Sequence, residues 1–277
     1  MDAVGTQKTS RDPISRHMKP FDHQAGNSIP IHGTQIYVEQ TGDPTGHPVL
    51  YLPGGFGHIG EFNSVIPSLP NHLRLVGIDS RGHGKSTMGD CKLNYAQLED
   101  DVLAVIEQLQ LDEVSLVGNS DGGIVAMRLA AGGRCNVQSV LTIGAHWQVA
   151  DDDPVREDFK QITPGSWRAE FPQTYEEYMS LNPEPDFERF AEDVLGMWLD
   201  DDPATGYPGE AVRRIACEML IVLGANDPYL TRESMEALAS RVPKAKLATV
   251  ADAGHAVHDD QRDAFVDLFK RFFESVG

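Results

Sequence analysis

Val114-Ser115-Leu116-Val117-Gly118-Asn119-Ser120-Asp121-Gly122-Gly123-Ile124-Val125-Ala126-Met127-Arg128-Leu129-Ala130 is the stretch that decides the fold. An apolar run of strand type meets a helix-forming run, and at the junction a serine stands between Gly118 and Gly122. Small neighbours let the backbone turn sharply there, so the hydroxyl projects from the tip of the turn. The following helix aims its free N–H groups at the same spot, ready to hold developing negative charge. This is the layout of a serine nucleophile.

Outward from that junction, strands and helices alternate. Residues 34–40 alternate apolar and polar like a half-buried strand, and Val49-Leu50-Tyr51-Leu52 reads as a fully buried one. A helix is expected over 61–69, ended by Pro70, then a strand over 73–78 and a helix over 96–110 with Leu98, Val102, Val105, Ile106 and Leu109 on one face. Further strands are expected over 137–143, 218–223 and 245–250, and helices over 232–240 and at the C-terminus, where Phe265, Leu268, Phe269, Phe272 and Val276 share a face. Alternation of this kind predicts an α/β fold, a mostly parallel sheet covered by helices on both sides.

The rhythm breaks between Trp147 and about Val212. That run holds helix-like pieces near 169–181 and 186–199 with prolines between, and no strand. It reads as a helical cap inserted over the carboxyl edge of the sheet, where open α/β sheets bind ligands. The chain thus divides into an N-terminal extension (1–30), a first part of the α/β core (31–146), the cap (147–212) and a second part of the core (213–277). Residues 1–26 are polar, lack an apolar signal region and read as loosely ordered.

Composition narrows the function. The formal charge is −19, and 17 acidic against four basic side chains lie between Trp147 and Glu210, so nucleic acid is not an expected partner. No apolar stretch approaches the ~20 residues of a membrane helix. Three widely spaced cysteines, Cys91, Cys135 and Cys217, fit neither a disulfide framework nor a metal knuckle and point to the cytoplasm. No metal or cofactor is expected, since neither a His-x-x-x-His spacing nor a phosphate-binding glycine loop occurs. The oligomeric state is not legible.

A serine hydroxyl needs a base, and the base needs an orienting acid. Both belong on loops at the carboxyl ends of strands. Asp227 follows the apolar run 220–223, and His255 follows the run 247–250. The oxyanion donors are expected to be the N–H of Asp121 and one from Pro53-Gly54-Gly55-Phe56-Gly57, with Gly55 first and Phe56 second. Phe56, His146 and Trp147 are the candidate substrate contacts. His258 is expected on the surface, and His83 in a structural turn.

At these residues the chain resembles the α/β-hydrolase family, in its serine-nucleophile branch. Four blocks carry the resemblance: Leu52-Pro53-Gly54-Gly55, the run Asp79-Ser80-Arg81-Gly82-His83-Gly84-Lys85-Ser86, the elbow around Ser120, and the Asp227 and His255 loops. The resemblance spans about residues 34 to 275, with the cap its least matched part, and the Ser, Asp, His order is that of the family. Members commonly have His-Gly where this chain has Pro53-Gly54, which affects the placement of the second oxyanion donor. The resemblance implies hydrolysis of a small acyl compound, a carboxylic ester first, through an acyl-enzyme. An amidase or aminoacyl-ester hydrolase, an acyltransferase, and a ligand sensor without turnover remain alternatives. The Asp121 carboxyl is expected to be hydrogen-bonded within the sheet. Similar hydrolases with a Ser-Asp-Gly-Gly elbow act on amino-acid esters, and there this carboxylate would meet a substrate ammonium.

Overall fold

The computed structural model describes residues 17–276. In chain order the elements are β1 (Asn27–Ile31), β2 (Thr34–Gly42), β3 (Pro48–Leu52), β4 (Arg74–Ile78), α1 (Tyr95–Gln108), β5 (Val114–Asn119), α2 (Asp121–Gly132) and β6 (Val137–Ile143). Then come α3 (Pro154–Gln161), α4 (Pro164–Glu170), α5 (Pro172–Leu181), α6 (Phe187–Trp198), β7 (Glu218–Gly224), α7 (Arg232–Arg241), β8 (Ala245–Val250), α8 (Val257–Asp260) and α9 (Arg262–Val276). The strands form one eight-stranded sheet in the order β1-β2-β4-β3-β5-β6-β7-β8. β1 and β2 run antiparallel to their neighbours, and the other pairings are parallel.

The central strands are mostly apolar because both their faces are covered. Leu50, Leu52 and Leu116 belong to the core on one side of the sheet, with α1 and α2; Val49, Tyr51 and Val117 belong to the other, with Phe265 and Phe269 of α9. β1 carried no sequence signal. It is an exposed edge strand, a place that tolerates Pro30. α1 starts at Asn94, whose side chain accepts from Gln97 N, and it buries Leu98, Val102, Val105 and Ile106 as its period required.

Four expectations need correction. Residues 61–69 are not an α-helix but two 3-10 turns, Ile59–Ser64 and Ile66–Ser68. Pro67 has no N–H to continue a helical ladder, so the chain breaks there rather than at Pro70. The extension is not loose over 17–26: Met18 and Phe21 are buried in the core beside α9, and Phe21 N and O both bond the Asn63 side chain. Its remainder lies outside the described residues. The inserted segment holds four helices rather than two pieces; Pro154, Pro164 and Pro172 stand at the starts of three of them, where a missing N–H costs nothing. His258 is 1% exposed, not a surface residue. α8 is a separate short helix turned inward, and its imidazole packs near Phe62 and Phe265. Among the described residues, no helix is long and apolar enough to cross a membrane.

Candidate active site

β5 runs directly into α2 through Ser120, whose backbone has φ 47° and ψ −115°. A residue with a Cβ holds such a conformation at roughly 1–3 kcal/mol, only where its surroundings enforce it. Here they do. Ser120 N donates to Ile143 O at 2.8 Å, and Ser120 O accepts from Gly123 N and Ile124 N. A Cβ on Gly118 would lie 2.3 Å from Gly122 O, and one on Gly122 would lie 2.0 Å from Leu52 O. The glycines are thus fixed by close backbone approach. Gly122→Ala must push β3 away from α2 and is expected to cost about 3 kcal/mol or more. Urea unfolding checks this, and an unchanged midpoint would contradict the closeness of the elbow.

The loops after β7 and β8 bring the other two groups together. His255 Nδ1 donates to Asp227 Oδ2 at 2.9 Å. Asp227 Oδ1 is occupied by the N–H groups of Tyr229 (2.9 Å) and Leu230 (3.3 Å), which fixes the carboxylate plane. The Asp227 side chain is fully buried and the imidazole a quarter exposed. His255 Nε2 has no hydrogen-bond partner among the described residues, and the ring lines the same cavity as Ser120. Contact between nucleophile and base commonly tightens only with substrate bound.

That cavity, about 320 Å3, is also lined by Gly54, Gly55, Phe56 and Asp121 from the core, and by Phe159, Trp167, Phe171 and Trp198 from the inserted helices. It sits at the small end of ligand sites, which run roughly 300–1,000 Å3. In the turn after β3, Gly57 N is spent on Gly54 O, and Gly54 N lies 3.4 Å from the Glu61 carboxyl. The N–H groups of Gly55, Phe56 and Asp121 have no hydrogen-bond acceptor among the described residues. Phe56 has φ 62° and stacks on Trp167 at 4.1 Å between centroids.

The Asp121 carboxyl is not bonded within the sheet. It accepts from the Tyr95 hydroxyl of α1 (2.9 Å) and from Trp198 Nε1 of α6 (2.9 and 3.1 Å). Burial pushes it up to about 6, although both donors pull the other way. His146 lines the cavity, but its Nε2 donates to Tyr229 O; burial and the nearby His255 hold it neutral, down at about 4. Trp147 is a correction. Its indole N–H donates to Ser234 O, Arg241 covers its ring, and it is not part of the cavity wall. Glu61, Phe159, Tyr207 and Tyr229 line the cavity and were missed. Only Tyr229, two residues after Asp227, had a sequence signal.

The fold and the site define the class. A family model described as "Alpha/beta hydrolase family" matches residues 49–268. The chain belongs to the α/β-hydrolase family and is a hydrolase enzyme. It is 27% identical over 259 residues to human "Serine hydrolase BPHL", covering 89% of this chain and 85% of that protein. With a "Putative esterase/lipase" of Haemophilus influenzae it shares 25% over 256 residues, 81% of this chain and 83% of the relative. Among solved structures, a hydrolase from Pseudomonas aeruginosa superposes with a TM-score of 0.76 at 19% identity, over 91% of this chain and 99% of that one. An esterase from Exiguobacterium antarcticum superposes at 0.74 with 24% identity, over 90% and 99%. At these identities the superpositions speak for the fold.

Proposed function

We propose that the chain hydrolyses a small carboxylic ester through an acyl-enzyme on Ser120. The observation that carries this reading is the His255–Asp227 pair opening on the same cavity as a serine held in a strained elbow. Ser120 Oγ attacks the carbonyl carbon while His255 Nε2 takes its proton. The tetrahedral oxyanion is held by the Asp121 N–H and by Gly55, with Phe56 beside it, the turn's N–H groups left without an acceptor. The intermediate collapses as His255 returns the proton to the leaving alcohol, and water then removes the acyl group by the same steps. Aromatic walls and a volume of about 320 Å3 favour a short acyl chain or a single small ring. The relatives named esterase and serine hydrolase support ester over amide or carbon–carbon cleavage. The test is a panel of p-nitrophenyl and alkyl esters, with mass spectrometry of the Ser120 peptide after reaction with a fluorophosphonate. Labelling of another residue, or none, would refute the mechanism.

Asp121 favours a second reading, an aminoacyl ester whose ammonium meets the carboxyl in the cavity wall. The carboxyl, raised to about 6, carries its charge only above that pH, and an aminoacyl ammonium loses its own near 8. The preference for an aminoacyl ester over its des-amino analogue should therefore peak between about pH 6 and 8 and fade on acidification through 6. Equal kcat/KM for the two esters at pH 7 would eliminate this reading.

A further inference from the structure

Glu61 begins just beyond the oxyanion turn, and the triad does not use it. Its Oε2 lies 3.4 Å from Gly54 N and 3.5 Å from the Tyr51 hydroxyl of β3. A Cβ on Gly57 would fall 1.8 Å from Oε1, so the carboxyl occupies the space that glycine leaves. The side chain of Asn119, the residue before Ser120, packs against the same glycine turn, its Nδ2 3.1 Å from where a Cβ on Gly54 would lie, and it favours the ionised form of the Glu61 carboxyl. One side chain in the cavity wall therefore meets both ends of the turn beside the elbow.

No cation pairs with it among the described residues. The titratable groups facing it are Tyr51 from β3 and Asp259 from α8, with His58 in its own turn and His255 and Asp121 around the cavity. Burial, reinforced by Asp259, pushes the carboxyl up to about 8. Asn119 Oδ1, meanwhile, is buried without a donor. An amide can present either end to a neighbour. A protonated carboxyl has an O–H to give that oxygen, which an ionised one lacks.

We propose that Glu61 is the positioning residue of the oxyanion turn: its carboxyl fills the space between Gly54, Gly57 and Asn119, fixing the Gly55 and Phe56 N–H groups relative to Ser120. The inference rests on the acyl-enzyme reading above. The contacts to Gly54 and Tyr51 are long, so the carboxyl acts by filling and linking rather than by strong bonds. Ionisation would bring a negative charge beside the position where the oxyanion forms and oppose its formation. The sign for stability is the same. The folded chain keeps a proton that the unfolded chain releases at ordinary carboxylate pKa, so this group's contribution is full below about 4.5 and is lost as pH rises towards 8.

The experiment compares full-length wild type, Glu61→Gln and Glu61→Ala from pH 6 to 9.5. Each is assayed for hydrolysis of p-nitrophenyl butyrate, with Ser120→Ala as background, and for the rate of Ser120 labelling by a fluorophosphonate. Wild-type kcat should fall about tenfold per unit above pH 8. Glu61→Gln, neutral at every pH and of the same shape, should stay within about threefold of wild type at pH 7 and remain flat to pH 9.5. Glu61→Ala should lose about tenfold or more in kcat and in labelling rate, with KM within about twofold. The proposal is overturned if Glu61→Gln keeps the alkaline fall, or if Glu61→Ala matches wild type. Should the alanine variant not fold, the glutamine profile decides alone. If neither turnover nor labelling depends on Ser120, the acyl-enzyme reading falls too; if both do and the Glu61 variants behave as wild type, only this inference falls.

Discussion

Ser120→Ala is expected to lower kcat on a small ester by about 10^6-fold while leaving the fold intact. The size of the loss follows from the chemistry. Without Oγ there is no acyl-enzyme, and what remains is an imidazole beside water and a set of N–H groups, a residue worth ~10^3–10^4 over the uncatalysed reaction. The intact fold follows from the local geometry. The elbow is held by Ser120 backbone bonds to Ile143, Gly123 and Ile124, and among the described residues the Oγ makes no hydrogen bond. Alanine keeps the Cβ and must adopt the same φ of 47°. Ester turnover and a thermal melt on the same preparation make the check. Turnover above about 1% of wild type would mean that Ser120 is not the nucleophile.

Asp227→Asn is expected to cost about 10^4-fold in kcat, more than loss of a negative charge alone would suggest. The reason is which proton goes where. Asp227 Oδ1 accepts from two backbone N–H groups, so an asparagine must keep its oxygen there and turn its NH2 towards His255. Nδ1 then has to accept, which puts the imidazole proton on Nε2, the atom that should take the serine proton. KM should change little, because Asp227 is not in the cavity wall. A variant within tenfold of wild type would show that His255 is oriented by something other than Asp227.

The elbow was legible because its determinants lie within five residues: a serine between glycines, a strand before it and a helix after it. Asp227 and His255 were legible for a related reason, since each follows a short run of strand type, β7 buried in the sheet and β8 half-buried at its edge. Trp147 shows where such reasoning stops. It lies four residues beyond β6, near the site along the chain, yet its side chain turns away under α7. Trp198 has no local cue to its partner: its N–H reaches 77 residues back to the Asp121 carboxyl. Glu61 was misplaced for a different reason. An acidic residue in a presumed helix is normally solvated, and nothing nearby announces that Gly57 will leave room for its carboxyl.

The amino-acid order by itself therefore determined the alternation of strands and helices, the sharp turn at Ser120 and the places of Asp227 and His255 on the loops after β7 and β8. Each of these depends on backbone preferences and apolar period over a few neighbouring residues. Tertiary structure alone decided that α6 places an indole on the Asp121 carboxyl, that α8 buries His258 beside Phe62, and that Glu61 faces the glycine turn after β3. Period shows which face of an element is apolar, but not which distant element will cover it. That choice is made when β3 is placed between β4 and β5 and the inserted helices close over the sheet's edge, fixing at once every contact between residues far apart along the chain.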